Sequence, residues 1–242
     1  MFGSRVTMVH VCDLASHNGF ELYVRSMQEI AEEHERIARD KLESFLIADF
    51  PGATCPRVLR SGEAAAEIAH VAKTGDFDLI VMPTHAGRFR RMLLGSTTAK
   101  VLNDAACAVL TTEHAETESP RSRQHRVWAC AIGLSQDSER VLRLASQAAE
   151  TAGAKLVLIH VAREGAEKDA GERLDGLRKA VGSRATIQIA TGAVKEALLD
   201  AARRSAADAL IIGRTPQFGG LERIGDLAYS LVRDSPCPVL SI

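Results

Sequence analysis

The sequence is short of the features that mark several large classes of protein. None of its 242 residues lies in an apolar run of roughly 18 or more, so no membrane-spanning helix is expected. The first 13 residues lack a charged region followed by a long apolar stretch, so no signal peptide is expected. The 30 Lys and Arg nearly balance the 31 Asp and Glu, which argues against a nucleic-acid-binding protein. With 46% apolar and 25% charged residues, the composition is that of a globular chain, not of a disordered or fibrous one.

Cysteine is scarce and unpatterned. The sequence has no Cys-x-x-Cys pair and no group of Cys, His and carboxylates at metal-ligand spacing. An odd number of scattered cysteines, most of them in apolar runs, is typical of reduced, buried thiols in the cytosol. We therefore expect a cytoplasmic protein without a disulfide, metal or redox site. The five residues are Cys12, Cys55, Cys107, Cys130 and Cys237.

Common catalytic signatures are also absent. The sequence contains no Walker loop, no His-Glu-x-x-His zinc motif and no Gly-x-Ser-x-Gly nucleophile elbow. The run from Gly95 to Lys100 resembles a Walker loop only superficially, because its first glycine is missing and Lys100 falls inside a predicted helix. We therefore expect no enzymatic activity. A weak ATPase or nucleotidyl transferase of similar fold stays open as an alternative.

Two halves of the chain repeat each other. Gly3–Val11 matches Gly153–Val161 at an offset of 150, whereas later segments match at an offset of 130, so the first copy carries 20 extra residues in between. The repeat predicts two similar domains, 1–113 (the first half) and 126–242 (the second half), joined by a polar linker at 114–125. The clearest later matches are Asp78–Met82 with Asp208–Ile212 and Ala106–Leu110 with Pro236–Leu240.

Each half alternates short apolar runs with segments of helical periodicity. Apolar strands that alternate with helices form a parallel sheet covered on both faces. The fold class is therefore α/β, with two tandem doubly wound, Rossmann-like domains whose ligands would lie beyond the carboxyl ends of the strands. The second half predicts strands at 127–132, 156–161, 185–190, 209–212 and 239–242, and helices at 136–151, 168–181, 194–206 and 221–234.

The last strand of each half is predicted to be an edge of its sheet. These strands, 108–111 and 239–242, would each carry unpaired backbone groups. Pairing the two edges across a pseudo-twofold axis would satisfy both, and would make the chain an internal pseudo-dimer.

The first half has no counterpart of the first strand and helix of the second half. Gly153 follows 27 residues of its own repeat, from Arg126 to Ala152, but the matching Gly3 follows only two. The first strand is central in a doubly wound sheet, so its absence would expose apolar edges on both neighbouring strands. We expect a fragment, or a mis-assigned start, of a protein roughly 25–30 residues longer. The alternative is a natural truncation repaired by packing or dimerisation.

The segment after the fourth strand of the first half carries a family resemblance. Met82–Thr111 combines a loop that contains glycine, a predicted helix start at Gly95, Ser96 and Thr97, and a final apolar strand. The second half ends similarly, in Cys237-Pro-Val239, and both halves end their second strand with a His between aliphatic residues, His10 and His160. The chain resembles a tandem pair of universal stress protein (UspA-like) domains. This implies the adenine-nucleotide alpha hydrolase-like form of the Rossmann fold.

In nucleotide-binding members of this family, the glycine loop holds the phosphates of ATP. Glycine lets the backbone approach a phosphate closely, and the amides and dipole of the following helix favour the anion. The resemblance implies ATP as a ligand of the first half, with no catalytic residue and no metal ligand. The residues that would bind it are Val11, Thr84, Gly87, Gly95, Ser96 and Thr97.

Both halves depart from the family pattern. In the first half, Pro83 stands at the first loop glycine and has no N–H to donate, and Gly95-Ser96 is equally typical of a plain helix start with an N-cap serine. In the second half, Gly133 stands where ATP-binding members have Asp, and a carboxylate at Asp226 would repel phosphate. We therefore expect no ATP in the second half.

Three function hypotheses follow. The degenerate loops favour a non-enzymatic, cytosolic stress-response regulator that acts by binding a ligand or protein partners. The first alternative is an ATP sensor that uses Gly95, Ser96 and Thr97, and the second is a weak enzyme. The expected partners are an adenine nucleotide and unidentified proteins, with no nucleic acid and no membrane. A homodimer is left open.

Overall fold

The computed structural model describes residues 3–12, 27–84, 94–112, 125–214 and 225–242. The chain divides into two compact units, Met1–Gly75 and Asp76–Ile242. The division lies inside the first half of the repeat. The domain limits 1–113 and 126–242 therefore stay a prediction about the repeat, and most of the predicted linker lies outside the described residues.

The first unit is a small parallel α/β layer. Its two strands, β1 (Met8–Cys12) and β2 (Arg57–Ser61), pair in parallel. Its helices are α1 (Met27–Ser44) and α2 (Ala64–Thr74). Arg57 ties the end of α1 to the start of β2, because its guanidinium donates to the carbonyls of Leu42 and Phe45 at 2.8 and 2.9 Å.

The second unit is built on one seven-stranded sheet. Its strand order is β3-β4-β9-β8-β5-β6-β7, and every neighbouring pair is parallel except β4–β9. The strands are β3 (Leu79–Pro83), β4 (Ala108–Thr112), β5 (Val127–Ala131), β6 (Lys155–Ala162), β7 (Thr186–Thr191), β8 (Ala209–Ile212) and β9 (Val239–Ser241). The helices are α3 (Ser96–Asp104), α4 (Ser138–Ala152), α5 (Glu167–Val181), α6 (Val194–Arg204) and α7 (Asp226–Asp234).

The predicted fold class and second-half elements are confirmed. All five strands and the first three helices start and end within about two residues of their predicted limits. The last helix was predicted from residue 221 but begins at Asp226, and residues 221–224 lie outside the described part of the chain. Apolar periodicity was sufficient here because most strands and helices bury a contiguous apolar face.

The predicted pairing of the two final strands is also confirmed. β4 and β9 run antiparallel, with Leu110 opposite Leu240 and Thr111 opposite Val239. The buried Thr111 hydroxyl donates to the carbonyl of Val239 at 3.2 Å. This pair joins the last two strands of the first half to the whole sheet of the second half.

Arg214, which follows β8, reinforces the junction. Its guanidinium donates to the carbonyls of Leu102 at 3.2 Å, Ala105 at 2.7 Å and Cys107. These carbonyls lie at and just beyond the carboxyl end of α3, where a cation also complements the helix dipole. Its backbone N–H donates to the carbonyl of Ile242 at 2.7 Å. One residue thus fixes α3 and the chain end to β8.

The first half has an interrupted sheet. In the second half, β5 pairs with both β6 and β8. Their counterparts in the first half are β1 and β3, which belong to different sheets of the structure. β6 has eight residues but β1 has five, and the three missing residues match Lys155–Val157, which pair with β5. Among the described strands, β1 and β3 therefore each pair on one side only, as the repeat predicts for open edges.

The core of the second half is aliphatic and contains an unreactive thiol. It packs β5, β6 and β8 against α4 and α5, with Leu142, Leu158 and Ile211 fully buried. Burial raises the pKa of the Cys130 thiol to about 12. All five cysteines are free thiols, and three of them are buried. Among the described residues, no helix is both long enough and apolar enough to cross a membrane.

Removal of the Arg214 side chain tests the junction. We expect Arg214→Ala to lower the free energy of unfolding by about 2 kcal/mol, because it leaves carbonyls at the end of α3 without a charged donor. The matched control is Arg203→Ala, which removes an exposed ion pair with Asp200 and should cost less than about 0.5 kcal/mol. Urea denaturation followed by circular dichroism measures both. Equal losses in the two variants would contradict the assigned role.

Candidate functional site

A cavity of about 470 Å³ lies at the carboxyl ends of the second-half strands. Parallel sheets of this type place ligands beyond these ends, where helices on the two faces diverge. Its floor is formed where β5, β6 and β8 end, by Ile132, Gly133, His160, Gly213 and Arg214. The position follows directly from the strand order, in which β5 lies between β6 and β8.

The walls of the cavity are mainly aliphatic and come from three helices. α4 contributes Val141, α6 contributes Val194 and Leu198, and α7 contributes Leu227, Ala228 and Leu231. Val194 and Leu227 are exposed, although both are large and apolar. Apolar side chains that line a concave opening are typical of sites for small molecules.

Gly213 sets the distance between β8 and α4. A Cβ atom at this position would meet Val141 Cγ2 at 2.8 Å, which is closer than any normal contact. A side chain here would therefore displace Val141, and its absence lets α4 lie close to β8. Gly133, on the same floor, has no atom within 4 Å of a Cβ built on it. The two glycines thus differ in their tolerance of a methyl group.

Some polar groups of the cavity take part in local structure. Nδ1 of His160 lies 2.8 Å from the carbonyl oxygen of Ile132. A carbonyl can only accept, so Nδ1 carries a proton and is the donor of this hydrogen bond. Asp137 is the N-cap residue of α4, and the Ser138 amide donates to the Ser135 carbonyl at 3.1 Å. His160 therefore has a structural role at the end of β5.

A carboxylate already lies at the amino end of α7. Gly225 is the N-cap residue, in an extended conformation, and Asp226 is the first residue of the helix. A carboxylate in the first turn complements the positive end of the helix dipole, which is where a phosphate would bind. The amino end of α7, next to the cavity-lining Gly225, thus carries a negative charge.

An ion-pair cluster holds α6 against α7 behind the cavity. Lys195 Nζ lies 2.7 Å from one oxygen of Asp234, and Arg233 Nε lies 2.7 Å from the other. The hydrogen bonds from Arg233 and Lys195 lower the pKa of the Asp234 carboxyl well below its usual range. Asp234 therefore stays ionised at neutral pH and keeps the two helices together.

The sequence-predicted site residues of the first half are only partly brought together. The amide of Gly95 donates to the carbonyl of Thr84 at 2.9 Å, so these two residues close the loop. Ser96 and Thr97 open α3, and Gly87 lies outside the described residues. Val11 lies on β1 in the first unit, opposite Arg60.

The N-cap serine at this helix start was a wrong prediction. Gly95 is the N-cap residue of α3 and makes no side-chain cap, while Ser96 is the first helical residue and is exposed. Thr98, one turn in, instead donates from its hydroxyl to the Pro83 carbonyl at 3.0 Å. Because Pro83 ends β3, this bond fixes α3 to the end of the strand.

Sequence reasoning missed the second-half cavity. Its walls are ordinary aliphatic residues that carry no chemical signature, and the altered loop glycines directed attention to the first half. The signal that could have found it is the coincidence of Gly133 and Gly213 at the ends of two neighbouring strands. No cluster of three potential metal ligands is found within the described ranges.

The universal stress protein family model matches residues 1–112 and 162–242, which is more than half of the chain. The chain belongs to the universal stress protein family. The recognition and the tandem arrangement inferred from the repeat are confirmed by these two segments.

Individual proteins are similar to parts or to most of this chain. A universal stress protein of Methanothermobacter thermautotrophicus is 32% identical over 83 residues, which is 34% of this chain and 57% of that protein. The match thus spans little more than half of the length of that relative. A universal stress protein from Archaeoglobus fulgidus has a similar fold, with a TM-score of 0.69, 21% identity and coverage of 97% of this chain and 84% of its own. A universal stress protein solved in complex with cAMP covers 49% of this chain and 97% of its own, with 23% identity and a TM-score of 0.42.

The contrast between the two floor glycines can be tested. We expect Gly213→Ala to lower the free energy of unfolding by about 1–3 kcal/mol, because the new methyl group overlaps Val141. Gly133→Ala is the matched control and should change it by no more than about 0.5 kcal/mol. Neither glycine has a positive φ angle, so backbone strain does not confuse the comparison. Urea denaturation that shows the same small change for both would contradict the packing argument.

Proposed function

We propose that this universal stress protein is a non-enzymatic, cytosolic stress-response regulator. Its second half binds one small, uncharged ligand that contains a flat ring, and the bound state is recognised by protein partners. The observation that carries the proposal is the aliphatic cavity, which reaches Gly225 at the amino end of α7, where Asp226 is the first helical residue. Adenosine represents this class of ligand, because it has a flat ring and hydroxyl groups but no phosphate.

The cavity suits a ring system in size and lining. A volume of about 470 Å³ is within the usual range for small-molecule sites, which is about 300–1,000 Å³. Leu198 and Leu231 supply apolar surface, and the ring of His160 adds one polar group. In an apolar site, a small number of polar groups is enough to orient a neutral ring.

Phosphate is disfavoured by charge. A phosphate about 4 Å from the Asp226 carboxylate would cost about 1–4 kcal/mol, depending on its exposure to water. Arg214, the cation on the cavity floor, directs its guanidinium to three carbonyls at the end of α3. A bound anion would therefore be repelled by Asp226. The nearby cation, Arg214, already donates its hydrogen bonds to carbonyls.

The groups around the cavity have structural tasks that do not favour catalysis. His160 holds the carbonyl of Ile132, and Asp137 occupies the N-cap position of α4. Catalysis needs an acid, a base or a nucleophile arranged around a reacting atom. The arrangement supports binding without turnover.

Replacement of Asp226 by serine tests the role of its charge. Asp226→Ser introduces the residue that the first half carries at the same position, Ser96. We expect this variant to bind AMP about tenfold more tightly than the parent protein, because one negative charge beside the phosphate is removed. Adenosine affinity should stay within about twofold, since the ring contacts are unchanged. Isothermal titration calorimetry measures both ligands.

A second variant tests occupancy of the cavity in the same titrations. Ala228→Trp fills the space between α6 and α7 and should abolish adenosine binding, whereas the exposed Leu144→Trp on α4 is the control. Adenosine binding that survives Ala228→Trp would refute the proposed site. An equal gain for AMP and adenosine in Asp226→Ser would refute the charge argument.

An ATP site in the first half is the second candidate. It is favoured by α3, which has Gly95 as its N-cap residue and no acidic residue in its first turn. Ser96 and Thr97 add hydroxyl donors at the same place. The amino end of α3 thus lacks the carboxylate that α7 carries, which makes it the better of the two for an anion.

Substitution of the N-cap glycine tests this candidate. Gly95→Val should remove any affinity for Mg-ATP, because a branched side chain blocks close approach of phosphate to the backbone. Gly225→Val, the matching change in the second half, should leave ATP affinity unchanged. Titration calorimetry that finds the same ATP affinity in Gly95→Val and the parent protein would exclude the first-half site.

A further inference from the structure

β7 is a terminal strand of the seven-stranded sheet, and its one neighbour among the described strands is β6. The amide of Ile132 bonds to the carbonyl of Ile159, so odd-numbered residues of β6 direct their backbone groups to β5. Even-numbered residues of β6 therefore bond to β7. The register then leaves the amides and carbonyls of Ile187, Ile189 and Thr191 on the free edge. Such an edge is a template for a further strand.

The corresponding strand of the first half carries charge on its edge. β2 matches residues 187–191 at the offset of 130, and Arg60 falls at the position of Ala190. Its guanidinium Nε lies 3.1 Å from Oε2 of Glu67 on α2. Charged side chains on an edge strand discourage further pairing. β7 has no charged residue and no proline, and its six register pairs with β6 are continuous, so the strand itself presents no obstacle to a partner.

A polar groove lies beside the carboxyl end of β7. It has a volume of about 520 Å³, and its lining includes Ala190 and Ala197. These alanines are the counterparts of Arg60 and Glu67 at the offset of 130. An ion pair between strand and helix thus occupies the matching position of the first half. In the second half, two methyl groups leave this space open.

The border of the groove is acidic. Its charged lining residues are Glu167, Glu196, Asp200 and Arg204. Glu196 and Asp200 have neighbouring cations on α6, Lys195 at 4.0 Å and Arg203 at 2.7 Å. Ion pairs near the surface contribute little, so these carboxylates remain available to another cation. Three carboxylates and one cation around an uncharged floor are complementary to a Lys or Arg side chain.

We propose that the free edge of β7 and this groove are a docking site for an extended, basic segment of a partner protein. The segment adds a strand beside residues 187–191, and its main-chain hydrogen bonds supply affinity. Its side chains alternate between the two faces of the sheet, so one basic side chain lies beside Ala190 and enters the groove. There it takes the place that Arg60 has in the first half, and it pairs with the carboxylates of α6.

The groove is separate from the cavity at the ends of β5, β6 and β8. α6 borders both, with Val194 and Leu198 lining the cavity and Ala193 and Ala197 lining the groove. No residue in the described part of the chain lines both. The docking site therefore does not rest on adenosine binding, and its test needs no adenosine.

A basic peptide tests the free edge. The probe is the hexapeptide Lys-Val-Lys-Val-Lys-Val with blocked ends, added to the full chain and followed by amide hydrogen exchange. At saturation, we expect the amides of Ile187, Ile189 and Thr191 to exchange at least about tenfold more slowly, because they gain acceptors. The amides of Gln188 and Ala190, which bond to β6 in both states, are the internal reference. The same peptide with Glu in place of Lys is the matched control and should give no protection.

Two variants test the groove by titration calorimetry with the same peptide. Ala190→Arg introduces the residue of the first half and should weaken binding at least about tenfold, because it fills the floor with positive charge. Glu196→Gln combined with Asp200→Asn should have a similar effect, and it alters only exposed side chains. The matched control, Glu139→Gln combined with Glu150→Gln, makes the same charge change at exposed positions of α4. Its affinity should stay within about twofold of the parent protein.

Three results would each overturn the proposal. The first is unchanged exchange at Ile187, Ile189 and Thr191 with the Lys peptide at millimolar concentration. The second is equal protection by the Glu peptide. The third is an equal loss of affinity in the α4 control and in the groove variants, because binding would then follow net charge and not the groove.

Discussion

The hydrogen-bonding demand of the parallel strand is the constraint on which the structure depends. A strand inside a sheet needs partners on both edges, since buried backbone groups without partners are costly. β8 meets this demand through β5 and β9, and every side chain along it is buried. β4 meets it by an antiparallel pair with β9, which carries the sheet from one half of the repeat to the other. β3 does not meet it within the described residues, and it exposes apolar side chains as a result.

The cavity is a consequence of the same arrangement. β5 lies between β6 and β8, so their carboxyl ends form one floor, and α4, α6 and α7 stand around it. Gly213 lets α4 approach, while Lys195 and Asp234 join α6 to α7. Arg214 borders the floor and also holds the end of α3, so the cavity and the junction between the halves share a residue. A ligand at this place would therefore be bound beside the contact that unites the sheet.

Much of the fold could be predicted from the sequence, and most of the site could not. Apolar periodicity placed the second-half elements because burial imposes it, and the repeat predicted both the β4–β9 pair and the open edges. Residues such as Val194 and Leu198 carry no chemical signature, so only their assembly shows that they line a cavity. Ser96 was taken for an N-cap because its side chain suits that role, but backbone geometry gives the position to Gly95. Gly87 lies outside the described residues and stays a prediction.

The central claim is that the second-half cavity is where a neutral ring binds. The most direct measurement is a methyl NMR titration with adenosine, which reports the place of binding residue by residue. The account predicts shifts for Leu198, Leu227 and Leu231 around the cavity, with no change for Leu94, which precedes α3, and Val101, which lies on α3. Shifts confined to Leu94 and Val101, or no shifts at saturating adenosine, would contradict it.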